Sequence, residues 1–226
     1  RMLASFQDGT KTMVEMNCVA NATNFIPDQT GMHGPSATLE QLSRTFNLRE
    51  AGGILSRKGI VDYVKGVAPG VFAVVTSDQE EVRREMQYLK MGEGPHFTLY
   101  RPFHLTSLET PLSAARAVLL GEPTIAPIGK PVAETVAVAK KDLKPGEYLD
   151  GIGGFTIYGL LQSLEEAQKT NALPIGLVDH KTKLKREVKQ GELLSYDDVE
   201  LNIDSFIVHL RHLQNELFAA KGEDVR

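Results

Sequence analysis

A single cysteine, Cys18, stands in 226 residues. That excludes an internal disulfide framework and a Cys-rich zinc site, and it fits a reducing, cytoplasmic compartment. No apolar run approaches the ~20 residues needed to span a bilayer. Basic residues nowhere form a long run and the formal net charge is −4, which argues against nucleic acid as a partner, because such binding rests on clustered Lys and Arg. A small anionic molecule is the expected partner instead. The first residue is Arg1 and no charged-then-apolar secretory pattern follows it, so the chain is expected to be the remainder of a longer one.

What is present is the composition of a soluble globular protein, with 42% hydrophobic and 24% charged residues. The length allows more than one core, and two unequal domains are expected. The stretch from Asp8 to Pro35, DGTKTMVEMNCVANATNFIPDQTGMHGP, reads as a helix that Asp8 caps and Pro27 closes at its far end, followed by a polar loop. At about 100° per residue, Asp8, Lys11, Glu15, Cys18 and Ala22 share one stripe, while Met13, Met16 and Ala20 supply a packing face. Two readings of the stripe stand. Lys11 and Glu15 form an ordinary i,i+4 pair on a solvated face, or Lys11 donates a proton or binds phosphate beside a carboxylate that pairs with it or holds a divalent metal. Cys18 reads as a small buried thiol, and the loop delivers His33 between two glycines.

Thr38 and Gln41 make a capping box before a short helix carrying Leu39, Leu42 and Phe46. Ile60 to Val67 is compatible with an extended segment, and Gly70 to Thr76 is a β-branched apolar run, expected to be the more buried strand of the two. Asp78 is expected to cap a surface helix with Val82, Met86 and Leu89 on its packing face. His96 to Arg101 alternates as a strand, and RPFHLTSLETP then places Arg101, His104, Ser107 and Glu109 at a junction before a helix capped by Thr110, begun by Pro111 and ended by Gly121. Beyond Val132, KDLKPGEYLD at 141–150 is echoed 45 residues later by REVKQGELLS at 186–195, which predicts two similar strand–turn–strand units facing each other. A helix is expected within 156–170, with Leu160, Leu161, Leu164 and Ala167 on its apolar face. Phe206, Leu210, Leu213 and Leu217 form the seam of a last helix, which is expected to dock on its own body or on a second copy. GIGGFTIYG at 151–159 is not a dinucleotide loop, since Thr156 stands where glycine is required.

Taken together, DGTKTMVEMNCVANAT, GMHGP, YVKGVAPGVFAVVT, YLKMGEGPHFTLYRPFHLTSLETPLSAARAVLLGEPTIAP and the paired KPGE and KQGE units resemble bacterial NAD(P)-dependent oxidoreductases of the homoserine-dehydrogenase-like type with a C-terminal SAF domain. That group includes the 1-deoxy-D-xylulose 5-phosphate reductoisomerase-like enzyme. The resemblance implies an α+β fold: a catalytic domain with a mixed sheet over 1–131, a small SAF β-clip domain over 132–201 and a C-terminal helix over 202–226. It also implies that NADP is bound by an N-terminal Rossmann domain with no counterpart in this chain, and that the parent protein transfers hydride to a small, phosphorylated carbonyl or sugar. A place in isoprenoid biosynthesis and a homo-oligomer are expected with it.

On the positions that match, Lys11, Glu15 and His104 are the expected catalytic residues, with Glu15 also the candidate divalent-metal ligand. Asp8, His33, Lys90, Arg101, Ser107 and Glu109 are the expected substrate-binding residues. Lys11, Glu15, Arg101 and His104 are expected to converge on one concave surface. Two alternatives remain: a SAF-domain sugar-acid lyase or dehydratase using Lys11 as base, and a non-catalytic binding module.

Overall fold

The computed structural model describes residues 7–67, 69–103 and 105–223. It is an α+β protein whose contacts divide it into two units, one of residues 1–31 with 127–226 and one of residues 32–126. Among the described residues the strands form three two-stranded antiparallel sheets, so no mixed sheet is formed.

The first unit is built on β3 (Ala133–Ala139), which pairs with β4 (Ile157–Ser163) from Ala133↔Ser163 to Ala139↔Ile157. All seven residues of β3 are buried, as its near-continuous run of small and β-branched residues requires of a strand covered on both faces. Helix α1 (Thr10–Thr23) lies against both strands and buries Thr10, Met13 and Ala20 there. The Thr10 Oγ1 accepts the Gly159 N–H at 2.9 Å. A Cβ on Gly159 would stand 2.8 Å from Thr135 Cγ2 and 3.2 Å from Thr10 Cγ2, so only glycine lets helix and strand approach this closely. At the other end of α1, the Asn21 Nδ2 donates to Ala133 O and its Oδ1 accepts the Val132 N–H at 2.8 Å, fixing where β3 begins.

The echoed segments do face each other. Leu143 and Val188 bond reciprocally, N–H to O, at 2.8 and 3.1 Å. Both turns have the same build: Gly146 at φ 83° and Gly191 at φ 80°, with Glu147 and Glu192 returning a carboxylate oxygen to the Lys144 and Lys189 N–H. Leu143, Leu149, Val188 and Leu194 from these segments enter one core with Ala137, Ala139, Ile157, Leu173 and Leu184. The short pair β5 (Lys183–Leu184) and β6 (Val199–Glu200) completes the unit. The helix expected within 156–170 is corrected: 157–163 is strand β4, and only Leu164–Lys169 (α5) is helical, capped by the Ser163 hydroxyl accepting the Glu166 N–H at 3.2 Å. Leu160, Leu161, Leu164 and Ala167 satisfy a helical stripe, but an open edge of β3 is the stronger local partner. Helix α6 (Phe206–Glu223) follows.

In the second unit, Gln41 Oε1 accepts the Thr38 N–H at 2.9 Å ahead of a short helical segment, Leu39–Gln41 and then α2 (Leu42–Thr45). Leu42 and Phe46 pack with Leu55, Val64, Phe72 and Val74. Strands β1 (Gly70–Val75) and β2 (Phe97–Pro102) form an antiparallel ribbon. Contrary to expectation β1 is half exposed, because among the described residues the ribbon has no further strand beside it; Ile60–Val67 forms no strand, and Lys65 makes an isolated bridge to Ser36. Helix α3 (Glu80–Tyr88) is capped at Gln79 rather than Asp78. Helix α4 (Thr106–Leu120) starts four residues before the expected Thr110 cap, with Pro111 inside it and Gly121 at its end. Pro111, at the sixth position, lies in the second turn and costs the helix the hydrogen bond its missing N–H would have given to Ser107 O.

Candidate functional site

Within the second unit, the most constrained polar group is the Asp62 carboxylate, whose side chain is 4% exposed. It accepts the backbone N–H groups of His33 at 3.1 Å, Gly34 at 3.0 Å and Tyr63 at 2.8 Å, and it meets the His33 Nδ1 at 2.7 Å. Three of these four contacts are backbone donors, so the carboxylate is the acceptor throughout and the ring proton belongs on Nδ1. The other ring nitrogen, Nε2, is itself buried, on a ring 14% exposed. Gly34, at φ 54°, lets the loop close over the Tyr63 ring, which a Cβ there would meet at 2.1 Å. His33 was legible from GMHGP. Asp62 was not, although a lone acid inside Ile60–Val61–Asp62–Tyr63–Val64 is an available signal, because an unpaired carboxylate is costly in an apolar run.

The same unit holds Arg101 at the end of β2, 69% exposed, with its Nη2 donating to the Glu109 Oε1 at 2.5 Å. Ser107 and Glu109 lie in the first turn of α4, not in the loop before it. Lys90 is exposed in the turn after α3 at φ 59°. His104 lies outside the described residues.

In the first unit, Lys11 and Glu15 form an i,i+4 pair at 3.8 Å, with side chains 44% and 54% exposed. Cys18, expected to be buried, is exposed on the same outward stripe. Asp8 precedes the capping position, which Gly9 takes, and its Oδ1 accepts the Thr10 N–H at 2.8 Å. Its Oδ2 meets the Lys140 Nζ at 2.5 Å, and that ammonium also donates to Gly154 O at 2.6 Å. Burial works against the Asp8 charge, but hydrogen bonds from Lys140 and Thr10 outweigh it and hold the carboxyl below its ordinary range. Asp8, Lys140, Tyr158, Gln190 and Gly191 line an open cleft of about 460 Å³. Lys140 is a second group that sequence reasoning missed, since nothing local marks it as a partner of Asp8.

An acid occupies amides of the glycine run that the sequence set aside as a dinucleotide loop, and the candidate metal ligand Glu15 gathers no donor set among the described residues. In GIGGFTIYG, Asp150 accepts the N–H groups of Phe155 at 2.6 Å and Thr156 at 3.1 Å. The amides that a pyrophosphate needs are thus already held by an acid. Around Glu15, and elsewhere among the described residues, no three His, Cys, Asp or Glu side chains gather as a donor set. Also among the described residues, no helix is long and apolar enough to cross a membrane.

Residues 1–110 match the family model described as Oxidoreductase DRL, catalytic domain. The match supports an oxidoreductase catalytic domain, and it spans His33, Asp62, Arg101 and Glu109. No curated protein matches the chain.

Proposed function

We propose that this chain is the substrate-handling part of an NAD(P)-dependent oxidoreductase acting on a small, phosphorylated carbonyl or sugar compound. The observation that carries the reading is the His33–Asp62 pair, 2.7 Å apart and inside the segment that matches an oxidoreductase catalytic domain. A nicotinamide, when bound, supplies the hydride, and no step here depends on where it sits.

What the chain contributes is the proton that a carbonyl oxygen takes up as it becomes an alcohol. An imidazole whose Nδ1–H is tied to a buried carboxylate has a set tautomer and ring plane, so Nε2 is the atom that carries the proton to that oxygen. To do so the ring first takes a second proton at Nε2 from solvent, giving an imidazolium that Asp62 stabilises, and transfer of that proton to the oxygen leaves the neutral ring with its proton on Nδ1. Arg101 is the cation for the substrate's anionic end, because a guanidinium binds phosphate or carboxylate through two parallel N–H groups and Glu109 already orients it. Ser107 adds a hydroxyl beside it in sequence. The proposal rests on residues 33–109 alone. Residues 132–201 are proposed to be a SAF-type β-clip domain, supported by the two matching Lys-x-Gly-Glu turns.

Titration calorimetry of the chain with 1-deoxy-D-xylulose 5-phosphate, and with inorganic phosphate as control, tests the reading. Saturable binding tighter than that of phosphate is expected, weakened about tenfold in His33→Gln and in Arg101→Met. Binding no tighter than phosphate, or unchanged in both variants, overturns it.

A further inference from the structure

Helix α6 carries apolar side chains on two opposite faces, and only one of them is covered. Val208, 2% exposed, docks the helix on its own unit, and Arg211 on the same side donates to the Glu134 carboxylate. Two residues further on from each, and therefore about 200° around the helix, stand Leu210 and Leu213. With Phe206 and Leu217 they form a stripe at spacings of four, three and four, the knobs-into-holes seam of a packed helix pair. Phe206 is 74% exposed, Leu210 42%, Leu213 50% and Leu217 54%, with Ile207 at 49% beside them. Single exposed leucines are ordinary, but a contiguous seam of three turns marks an interaction surface.

We propose that this seam is a two-fold interface in which α6 packs antiparallel against α6 of a second copy of the chain. Two observations choose that occupant. The first is area: the five exposed side chains present roughly 500 Å² per copy, or about 1,000 Å² over both, the size of a weak specific interface and therefore a reversible dimer. The second is the pattern of flanking groups. His209 and Glu216, both exposed, are seven residues apart and so border the seam on the same side. In the antiparallel arrangement that sets Leu210 against Leu213 and Phe206 against Leu217 of the other copy, each His209 imidazole N–H meets the other copy's Glu216 carboxylate. The two-fold makes that hydrogen bond twice. On the opposite border Ile207 lies over the stem of Gln214. This inference is independent of the oxidoreductase reading and stands or falls separately.

Sedimentation velocity of the chain over a rising concentration series tests it. Wild-type protein is expected to form a dimer reversibly. Leu213→Asp is expected to be monomeric at the same concentrations with unchanged far-UV circular dichroism, since it leaves the Val208 face untouched. Glu216→Lys, an exposed change that does not threaten folding, is expected to raise the dissociation constant about tenfold, and His209→Glu combined with it to restore association. A wild-type monomer throughout overturns the proposal. So does a dimer indifferent to Leu213→Asp and Glu216→Lys, which would place association elsewhere, for instance on the exposed Leu108, Leu112 and Leu119 of α4. Loss of the dimer in Leu213→Asp without any effect of Glu216→Lys overturns the antiparallel register.

Discussion

Leu143 and Val188, 45 positions apart, bond to each other through both of their backbone N–H groups. The pairing ties two short turn units into one core, so neither has to bury an apolar face alone. Leu149 and Leu194, six residues further along each copy, enter the same cluster.

The equivalence of the two turns predicts equal responses to mutation. Gly146 and Gly191 have φ of 83° and 80°, and a Cβ at either would meet at most Lys183 Cε, at 3.8 Å. The cost of Gly146→Ala or Gly191→Ala is therefore backbone strain alone, about 1 kcal/mol each. Urea unfolding is expected to give the two variants the same loss within error. A loss several times larger in one of them would contradict the symmetry.

At Gly159 the cost has a different origin. Its φ is ordinary, but an added methyl group would press on Thr135 and Thr10 beneath α1. Gly159→Ala is expected to lower stability by about 1–3 kcal/mol through overpacking. Gly176→Ala, with nothing within 4 Å of the new Cβ, is the matched control and is expected to cost about 0.5 kcal/mol or less.

Acid sensitivity follows from four carboxylates, Asp8, Asp150, Asp179 and Asp198. Burial works against the charge of each. Hydrogen bonds outweigh it, from Lys140, Thr156, Asn202 and Arg186 respectively, and hold all four below the ordinary aspartate range. A depressed folded-state pKa means that the unfolded chain takes up protons first as pH falls. The stabilisation is therefore complete above the unfolded aspartate pKa of about 4 and is lost as pH drops from there through the folded values. Thermal midpoints are expected to be level near neutrality and to fall steeply below about pH 4. Asp8→Asn is expected to make that fall shallower and to cost about 1–3 kcal/mol at pH 7, where it leaves the Lys140 ammonium without its carboxylate.

The division of contacts predicts which segment is separable. Helix α1 finds its packing surface on β3 and β4, across more than a hundred residues of chain. A chain in which a flexible linker replaces residues 32–126 is expected to keep a single cooperative unfolding transition, because Met13, Ala20 and the β3 core are all retained. Non-cooperative melting of that protein would contradict the packing described for α1.

The parts of this fold that were legible in the sequence are those fixed by local geometry. The Lys-x-Gly-Glu turns declared themselves because a left-handed glycine and a carboxylate returning to a backbone N–H are both made within four residues. The Thr38–Gln41 cap and the Gly121 stop are of the same kind. What escaped was decided by distant partners. Leu160, Leu161, Leu164 and Ala167 fit a helical stripe, and it is the pairing of 157–163 with 133–139 that makes the first half a strand. Asp62 is 29 residues from His33 and Lys140 is 132 from Asp8, so no spacing rule could join them. Glu109 was legible as a member of the ionisable cluster at 101–109, but not that its carboxylate holds Arg101.

The account's central claim is that His33, fixed by Asp62, carries the proton delivered to a substrate carbonyl. Nitrogen-detected imidazole spectra of the isotopically labelled chain, recorded with and without 1-deoxy-D-xylulose 5-phosphate, test it most directly. The account predicts that His33 carries its proton on Nδ1 in the ligand-free protein, that Asp62→Asn disturbs this preference, and that ligand shifts the Nε2 resonance. A proton on Nε2 with none on Nδ1 in the ligand-free state, or an Nε2 resonance unmoved at saturating ligand, would contradict it.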